Sequence, residues 1–238
     1  MNVGVTTGGD TGPRAGYGVP GFARIYLARH GRTALNAAGA LRGHLDPPLD
    51  AVGRLQAERL GVALGDQGVR LVVASPLRRA VETAQAVAIR ANVGVEIDPR
   101  LIDRDYGRWA GQPKDVVEAR WGSLDDAPGV EPPAEVRARA WEALADIARH
   151  ARGEVAVVVS HDAVNRLTLA TLGPGLGDPD QLPQETGCFN TLDYLDGRWT
   201  VLRVNVVPGP PDRSTVDDDP GSEPTTAEHE RGSYGHGA

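Results

Sequence analysis

One cysteine, Cys188, stands in a chain of 238 residues, so no intrachain disulfide can form and no structural metal site can be built on cysteine. Lysine is as scarce, with Lys114 the only one. Aromatic residues make up 5% of a chain that is 40% hydrophobic, so its core must be largely aliphatic. No apolar run approaches the length of a membrane span. The Gly- and Thr-rich segment 1–21 lacks the apolar stretch of a secretory signal. These absences lead us to expect a soluble cytoplasmic protein. A formal charge of −7 argues against a general binder of nucleic acid or of anionic membranes. That charge is uneven, because residues 208–238 hold seven acids against two arginines and the remainder is nearly neutral.

The length suits one domain with appendages. Segments 1–21 and 208–238 have the Gly, Pro, Ser, Thr and acid content of chain that buries too little surface to offset ordering. Both are expected to be disordered. Between them, in residues 22–207, short apolar runs alternate with helical patterns, the signature of βαβ units around a largely parallel sheet. A first strand at 25–28 stops abruptly at Arg29, His30 and Gly31, and a long loop is expected over 36–48. Asp50 then caps a helix running to about Leu64, with Val52, Leu55, Leu60, Ala63 and Leu64 as its apolar stripe. Residues 69–74 read as a second strand. Ser75 and Pro76 follow as cap and first helical position of a helix whose Leu77, Val81, Ala84 and Ala88 face the sheet. Arg78 lies on the exposed first turn of that helix, directed at the strand ends. After a short strand at 93–97, residues 100–133 have loop composition with a helical piece near 116–121, a lid or small insertion. A helix at 134–151 and a nearly all-apolar strand at 154–159 come next, the strand ending at Ser160, His161 and Asp162. A helix at 165–172 and a hairpin turning at Asp196 and Gly197 complete the pattern.

Parallel strands put their carboxyl ends on one edge, where open α/β sheets hold ligands. Here that edge gathers Arg29 and His30, then the segment from Ser75 to Arg78, then His161. Two imidazoles and at least two guanidinium groups packed together are costly unless an anion joins them. Arginine forks match phosphate oxygens, and histidine serves as nucleophile, acid or donor.

Arg29-His30-Gly31-Arg32-Thr33 with Asn36 resembles the signature of the histidine phosphatase superfamily, which includes the cofactor-dependent phosphoglycerate mutases. Supporting segments follow in family order: Leu49, Gly53 and Gln56-Ala57; Ser75 to Ala80 with Thr83-Ala84; Tyr106-Gly107 with Trp109 and Gly111; and Val158 to His161. Four ordered motifs are far more specific than one. The resemblance is to branch 1 of the superfamily and implies a three-layer α/β/α sandwich with a mostly parallel central sheet, with an insertion over about 103–133. It implies further that His30 attacks phosphorus to give a phosphohistidine while Arg29, Arg78 and His161 hold the phosphoryl oxygens. Arg32, Asn36, Arg42 and Asp162 would add substrate contacts. A neutral His30 would donate its other nitrogen to a backbone carbonyl.

Where most branch members place a glutamate before the Tyr-Gly pair, this chain has Asp103. Aspartate can protonate the leaving oxygen, with a side chain shorter by one methylene. Asp162, directly after His161, is the competing acid, since the second branch uses an aspartate there. Its plainer reading is a helix cap. The resulting expectation is a metal-independent phosphomonoesterase with no cofactor, acting on a small phosphorylated substrate, with no nucleic-acid or membrane partner and a homodimer as an open option. Mutase-type transfer is the alternative, favoured by residues 103–107 with Gly111 and Lys114 and disfavoured by Gly43-His44, where mutases have Gly-Trp, and by Trp109. A phospho-ligand-binding protein with weak turnover is a third reading, favoured by the substituted acid.

Overall fold

β4 (Val155–Ser160) reads Val-Ala-Val-Val-Val-Ser and is buried along its whole length. β-Branched side chains suit a strand covered on both faces, and such a strand belongs in the middle of a parallel sheet. The computed structural model describes residues 19–210 and places β4 there. The expected disordered ends fall almost wholly outside the described residues. β1 (Phe22–Arg29) lies on one side of β4, and β2 (Val69–Ala74) and β3 (Val95–Ile97) lie on the other, all parallel. β5 (Phe189–Leu195) and β6 (Arg198–Val206) form the hairpin around Asp196 and Gly197. β5 pairs antiparallel with β1 and β6 antiparallel with β5, giving the order β3-β2-β4-β1-β5-β6.

Side-chain alternation then dictates two helical layers. Ile25, Leu27, Val73 and Val158 pack with Leu144 and Ile147 of α5 (Pro133–His150) and Leu169 of α6 (Asp162–Leu172). Tyr26, Ala28, Val72 and Val157 pack with Leu60 and Leu64 of α2 (Ala51–Gly65) and with Ala84 and Val87 of α3 (Arg78–Ala91). The three-layer α/β/α architecture follows. Among the described residues no helix is long and apolar enough to cross a membrane.

Both helices on the second face differ in register from the sequence reading. In α2 the expected apolar positions Val52 and Leu55 are exposed, while Gly53, Ala57 and Gly61 join Leu60 and Leu64 in the buried face. The small residues let α2 lie close on α3: a Cβ at Gly61 would stand 2.5 Å from the carbonyl oxygen of Ala86. α3 begins two residues later than expected, with Leu77 rather than Ser75 at its N-cap. The later start moves the buried face to Arg79, Ala80, Thr83, Ala84, Val87 and Ala88 and turns Arg78 outward.

A one-turn helix, α1 (Ala34–Ala37), interrupts the expected loop after β1. The insertion has a core of its own. Leu41, Tyr106, Trp109, Val117 and Ala127 are buried together, with Trp121 at the end of α4 (Lys114–Trp121) set edge-on to Trp109 at 5.9 Å. The Trp109 indole N–H donates to Pro128 O at 2.9 Å.

Candidate active site

The parallel register of β1 and β4 pairs Arg29 with Ser160, so the residues that follow, His30 and His161, emerge side by side. His30 N donates to Ser160 O at 3.1 Å, and the two imidazole centroids are 5.1 Å apart. Ser75, at the end of β2, joins them with its hydroxyl 2.7 Å from His161 Nε2. Its side chain therefore serves the second imidazole instead of capping α3. Gly31 is needed where the chain leaves β1, since a Cβ there would stand 2.4 Å from Gly53 O.

The neighbours of His30 fix its tautomer. Nδ1 lies 2.7 Å from Gly31 O, which can only accept, so Nδ1 carries the proton. Nε2 lies 3.2 Å from Arg79 Nε, which can only donate, so Nε2 holds the lone pair. Burial pushes His30 well below the ordinary histidine range, and His161, Arg79, Arg29 and Arg42 push the same way. His161 is lowered likewise, by burial first and then by Arg79 and Arg42. Both rings are wholly buried and neutral.

Arg79, and not Arg78, is the guanidinium that α3 brings to the cluster. Fully buried, it donates to His30 Nε2, to Leu45 O at 2.7 Å, to Gly43 O at 3.0 Å and to Asp103 Oδ2 at 2.9 Å. Arg78, expected at the phosphoryl group, has a side chain 61% exposed and paired with Glu82 one turn on, at 2.6 Å. Thr83 completes the inner face of α3: its hydroxyl accepts from Gly31 N and donates to Arg79 O. A polar pair at positions 79 and 83, set among alanines, was the sequence signal for this face.

Arg29 is held from behind by a buried amide network that the sequence reading missed. It donates through Nη1 to Gln184 O. The Gln184 and Asn190 carboxamides bond each other reciprocally, at 2.8 and 3.0 Å, and Asn190 also donates to Leu27 O. Asp103 is almost completely buried, with Oδ1 accepting from Arg104 N and Oδ2 lying 3.8 Å from His161 Nδ1. Its carbonyl oxygen accepts from His44 and from Arg139, which also binds the carbonyls of Arg100 and Ile102. Arg139, absent from the sequence reading, thus anchors the segment that presents Asp103.

Asp162 is the first residue of α6, not its cap, since His161 holds the cap position. Its Oδ1 lies 2.6 Å from Arg166 Nε and 3.7 Å from Arg29 Nη1. Arg42 contributes to the field at both histidines, and its buried Nε has no partner among the described residues. Arg32 and Asn36 are committed locally rather than to the cluster. The first pairs with Asp50, the N-cap of α2, and the second closes a capping box with Thr33. Beside the cluster lies a cavity of about 460 Å³, bordered by Arg42 and Asp162 on the cluster side, by Tyr106 and Lys114 of the insertion, and by Arg137 and Arg166. Among the described residues no three His, Cys, Asp or Glu are placed to hold a metal ion.

Two neutral imidazoles, two buried guanidiniums and one buried carboxylate form a receptor for a tetrahedral oxyanion with a nucleophile at its centre. A family model of the histidine phosphatase superfamily (branch 1) matches residues 25–207. The chain belongs to that superfamily. This histidine phosphatase superfamily member is 27% identical over 195 residues to phosphoserine phosphatase 1 of Hydrogenobacter thermophilus, covering 77% of this chain and 92% of that protein. It is 29% identical over 187 residues to a probable phosphoglycerate mutase of Enterobacter sp., covering 74% and 87% respectively. The solved structure of a mycobacterial glucosyl-3-phosphoglycerate phosphatase in complex with VO3 is similar with a TM-score of 0.66 at 26% identity, over 77% of this chain and 98% of that one.

Proposed function

We propose that the chain is a phosphomonoesterase that releases inorganic phosphate from a small phosphorylated metabolite through a phosphorylated His30. The observation that carries this reading is the fixed tautomer of His30, with a proton on Nδ1 bound to Gly31 O and a lone pair on Nε2 within reach of a guanidinium. Attack on phosphorus needs that neutral lone pair. In the resting arrangement Arg79 donates to it, so the incoming phosphoryl group first draws that N–H onto its own oxygens. Arg29, Arg79 and His161 then hold the equatorial oxygens as Nε2 bonds to phosphorus and the P–O bond to the leaving alcohol breaks. Phosphoryl transfer asks mainly for such positioning and charge stabilisation.

Asp103 takes up a proton as the substrate binds and Arg79 turns to the phosphoryl oxygens, gives it to the leaving oxygen, and as the carboxylate so formed then deprotonates the water that cleaves the P–N bond. Asp162 is a second reading for the acid, because it borders the cavity where the leaving group would sit and Asp103 does not. No step requires a metal ion. The homologues named as phosphatases favour hydrolysis over mutase transfer. Cys188, the single cysteine, is buried with its thiol pushed up to about 12 by that burial, in keeping with a structural role in a cytoplasmic protein.

The test is steady-state phosphate release from a panel of alkyl and aryl phosphomonoesters in the presence of chelator. Release that survives chelation and vanishes in His30→Ala is expected. Interconversion of phosphoglycerates faster than phosphate release would replace this reading with the mutase one, and tight binding with no turnover would replace it with the binding-protein one.

A further inference from the structure

His44 has no part in the proposed chemistry, although the loop around it touches both the acid and the phosphate clamp. Its Nε2 lies 3.0 Å from Asp103 O, which can only accept, so Nε2 carries the ring proton and donates it. The residues on either side accept from the Arg79 guanidinium, Gly43 O at 3.0 Å and Leu45 O at 2.7 Å. Asp46 takes the backbone N–H of Arg78, the first residue of α3, on Oδ1 at 2.6 Å. Residues 43–46 thus tie the start of α3, the Arg79 guanidinium and the Asp103 segment to one another.

The consequence lies in one peptide plane. The carbonyl that His44 holds and the N–H of Arg104 belong to the same rigid amide. That N–H donates to Asp103 Oδ1 at 2.9 Å. Pinning the oxygen of the amide therefore aims its N–H, and the N–H aims the carboxyl group. Asp103 Oδ2 is held separately, by Arg79 Nη2 at 2.9 Å. Once Arg79 turns to the phosphoryl oxygens that second hold is lost, and the 103–104 amide is left to orient the acid, with Oδ2 as the oxygen that carries the proton. We propose that His44 is a positioning residue for proton transfer, acting through this amide to keep protonated Asp103 aimed at the leaving group while Arg79 is engaged with the substrate. As the P–O bond breaks, its electron pair goes to the leaving oxygen, which takes the proton of Oδ2 and leaves Asp103 a carboxylate. The proposal rests on the phosphatase reading with Asp103 as its acid. Arg139 Nη2 shares the Asp103 carbonyl at 3.2 Å, but it also binds Glu131 and the carbonyls of Arg100 and Ile102, so it secures the whole segment. His44 is the cleaner handle, because its side chain is 44% exposed and can be replaced without opening the core.

The test compares the best alkyl phosphate of the substrate panel with p-nitrophenyl phosphate through kcat/KM, which covers the steps up to loss of the leaving group. Only the alkyl ester needs its leaving oxygen protonated. His44→Ala should lower the alkyl-to-aryl ratio of kcat/KM by about tenfold, within the roughly 10²-fold that a misplacement of about 1 Å can cost. His44→Leu, which keeps bulk without a donor, should lower it equally. His44→Gln returns an N–H at the reach of Nε2 and should bring the ratio back to within about threefold of wild type. Because the readout is a ratio between two substrates of one enzyme, a general loss of folded protein cancels, and a role confined to packing leaves the ratio unmoved. Asp103→Asn, measured beside these variants, marks the full loss. A ratio that drops in Asp103→Asn but holds in His44→Ala, or that His44→Gln fails to recover, overturns the positioning role and leaves the acid and the phosphatase reading intact. A ratio that holds in Asp103→Asn as well overturns the role together with the assignment of the acid. A wild-type chain that cleaves the aryl ester and no alkyl ester has no acid for His44 to position, which overturns the proposal alone, and one that cleaves neither overturns the phosphatase reading too.

Discussion

Replacing Arg79 by alanine should all but abolish turnover, while the same change one residue earlier should be close to silent. Arg79 is wholly buried and its guanidinium meets four acceptors, one of them the Nε2 lone pair of His30 and another the Asp103 carboxylate. Its removal leaves Asp103 as an unpaired buried charge, which costs about 3–5 kcal/mol of stability. It also withdraws donors from the phosphoryl oxygens, and one preorganised donor is worth about 10²–10³ in rate. Arg79→Lys keeps the charge but loses the fork, so it should fold better than the alanine variant and still lose at least about 10²-fold in kcat. The Arg78 side chain pairs with Glu82 at the surface, an interaction worth about 0.3–0.5 kcal/mol. Arg78→Ala should therefore keep kcat/KM for p-nitrophenyl phosphate within about twofold. Steady-state kinetics with urea melts on the three variants separates rate from stability. An inactive Arg78→Ala beside an active, stable Arg79→Lys would refute the placement of α3 and the site built on it.

The remaining predictions concern the acid and the buried histidines. Asp103→Asn should reduce kcat for an alkyl phosphate by about 10²–10⁴ while sparing an activated aryl phosphate, whose leaving group needs no proton. Unchanged alkyl turnover in that variant, together with a loss in Asp162→Asn, would move the role to Asp162. The folded-state pKa values of His30 and His161 are depressed below their unfolded values, so the unfolded chain binds more protons as pH falls below about 6.5. Their contribution to stability is present above that pH and is lost below it, at up to about 2.7 kcal/mol per pH unit for the two together. Urea melts between pH 5 and 8 check this, and a flat profile from 6.5 to 5 would contradict it. The acid limb of kcat/KM should by the same reasoning fall below pH 6.5, because free His30 is already neutral there.

The sheet and its chemistry-bearing edge were legible because their signals are local. An all-apolar run such as β4 has few ways to be buried, and β1 ends in polar residues where the parallel register demands it. His30, His161 and Arg29 could be placed from that pattern alone. The arginine of α3 could not, because Arg78 and Arg79 are chemically equal and only the starting residue of the helix chooses between them. That start is set by tertiary docking: Ser75 is drawn to His161, and Leu77, in extended backbone, takes the cap position. Arg32 and Asn36 illustrate the opposite failure, since motif position suggested substrate while their side chains are taken by Asp50, the N-cap of α2 at a separation of 18 residues, and by Thr33, three residues back. The supports of the site were hidden for another reason. Gln184 and Asn190 act on Arg29, and Arg139 on Asp103, across 155 and 36 residues of sequence, where no periodicity reports a contact.

The central claim is that His30 Nε2 takes the phosphoryl group, and rapid acid-free quench of the full chain with an aryl phosphate, followed by peptide mapping, tests it most directly. The account predicts one phosphate per chain at most, on His30, labile to acid and stable to base, forming faster than turnover and absent in His30→Ala. Phosphate on any other residue, or turnover with no phosphorylated His30 at any quench time, would contradict it.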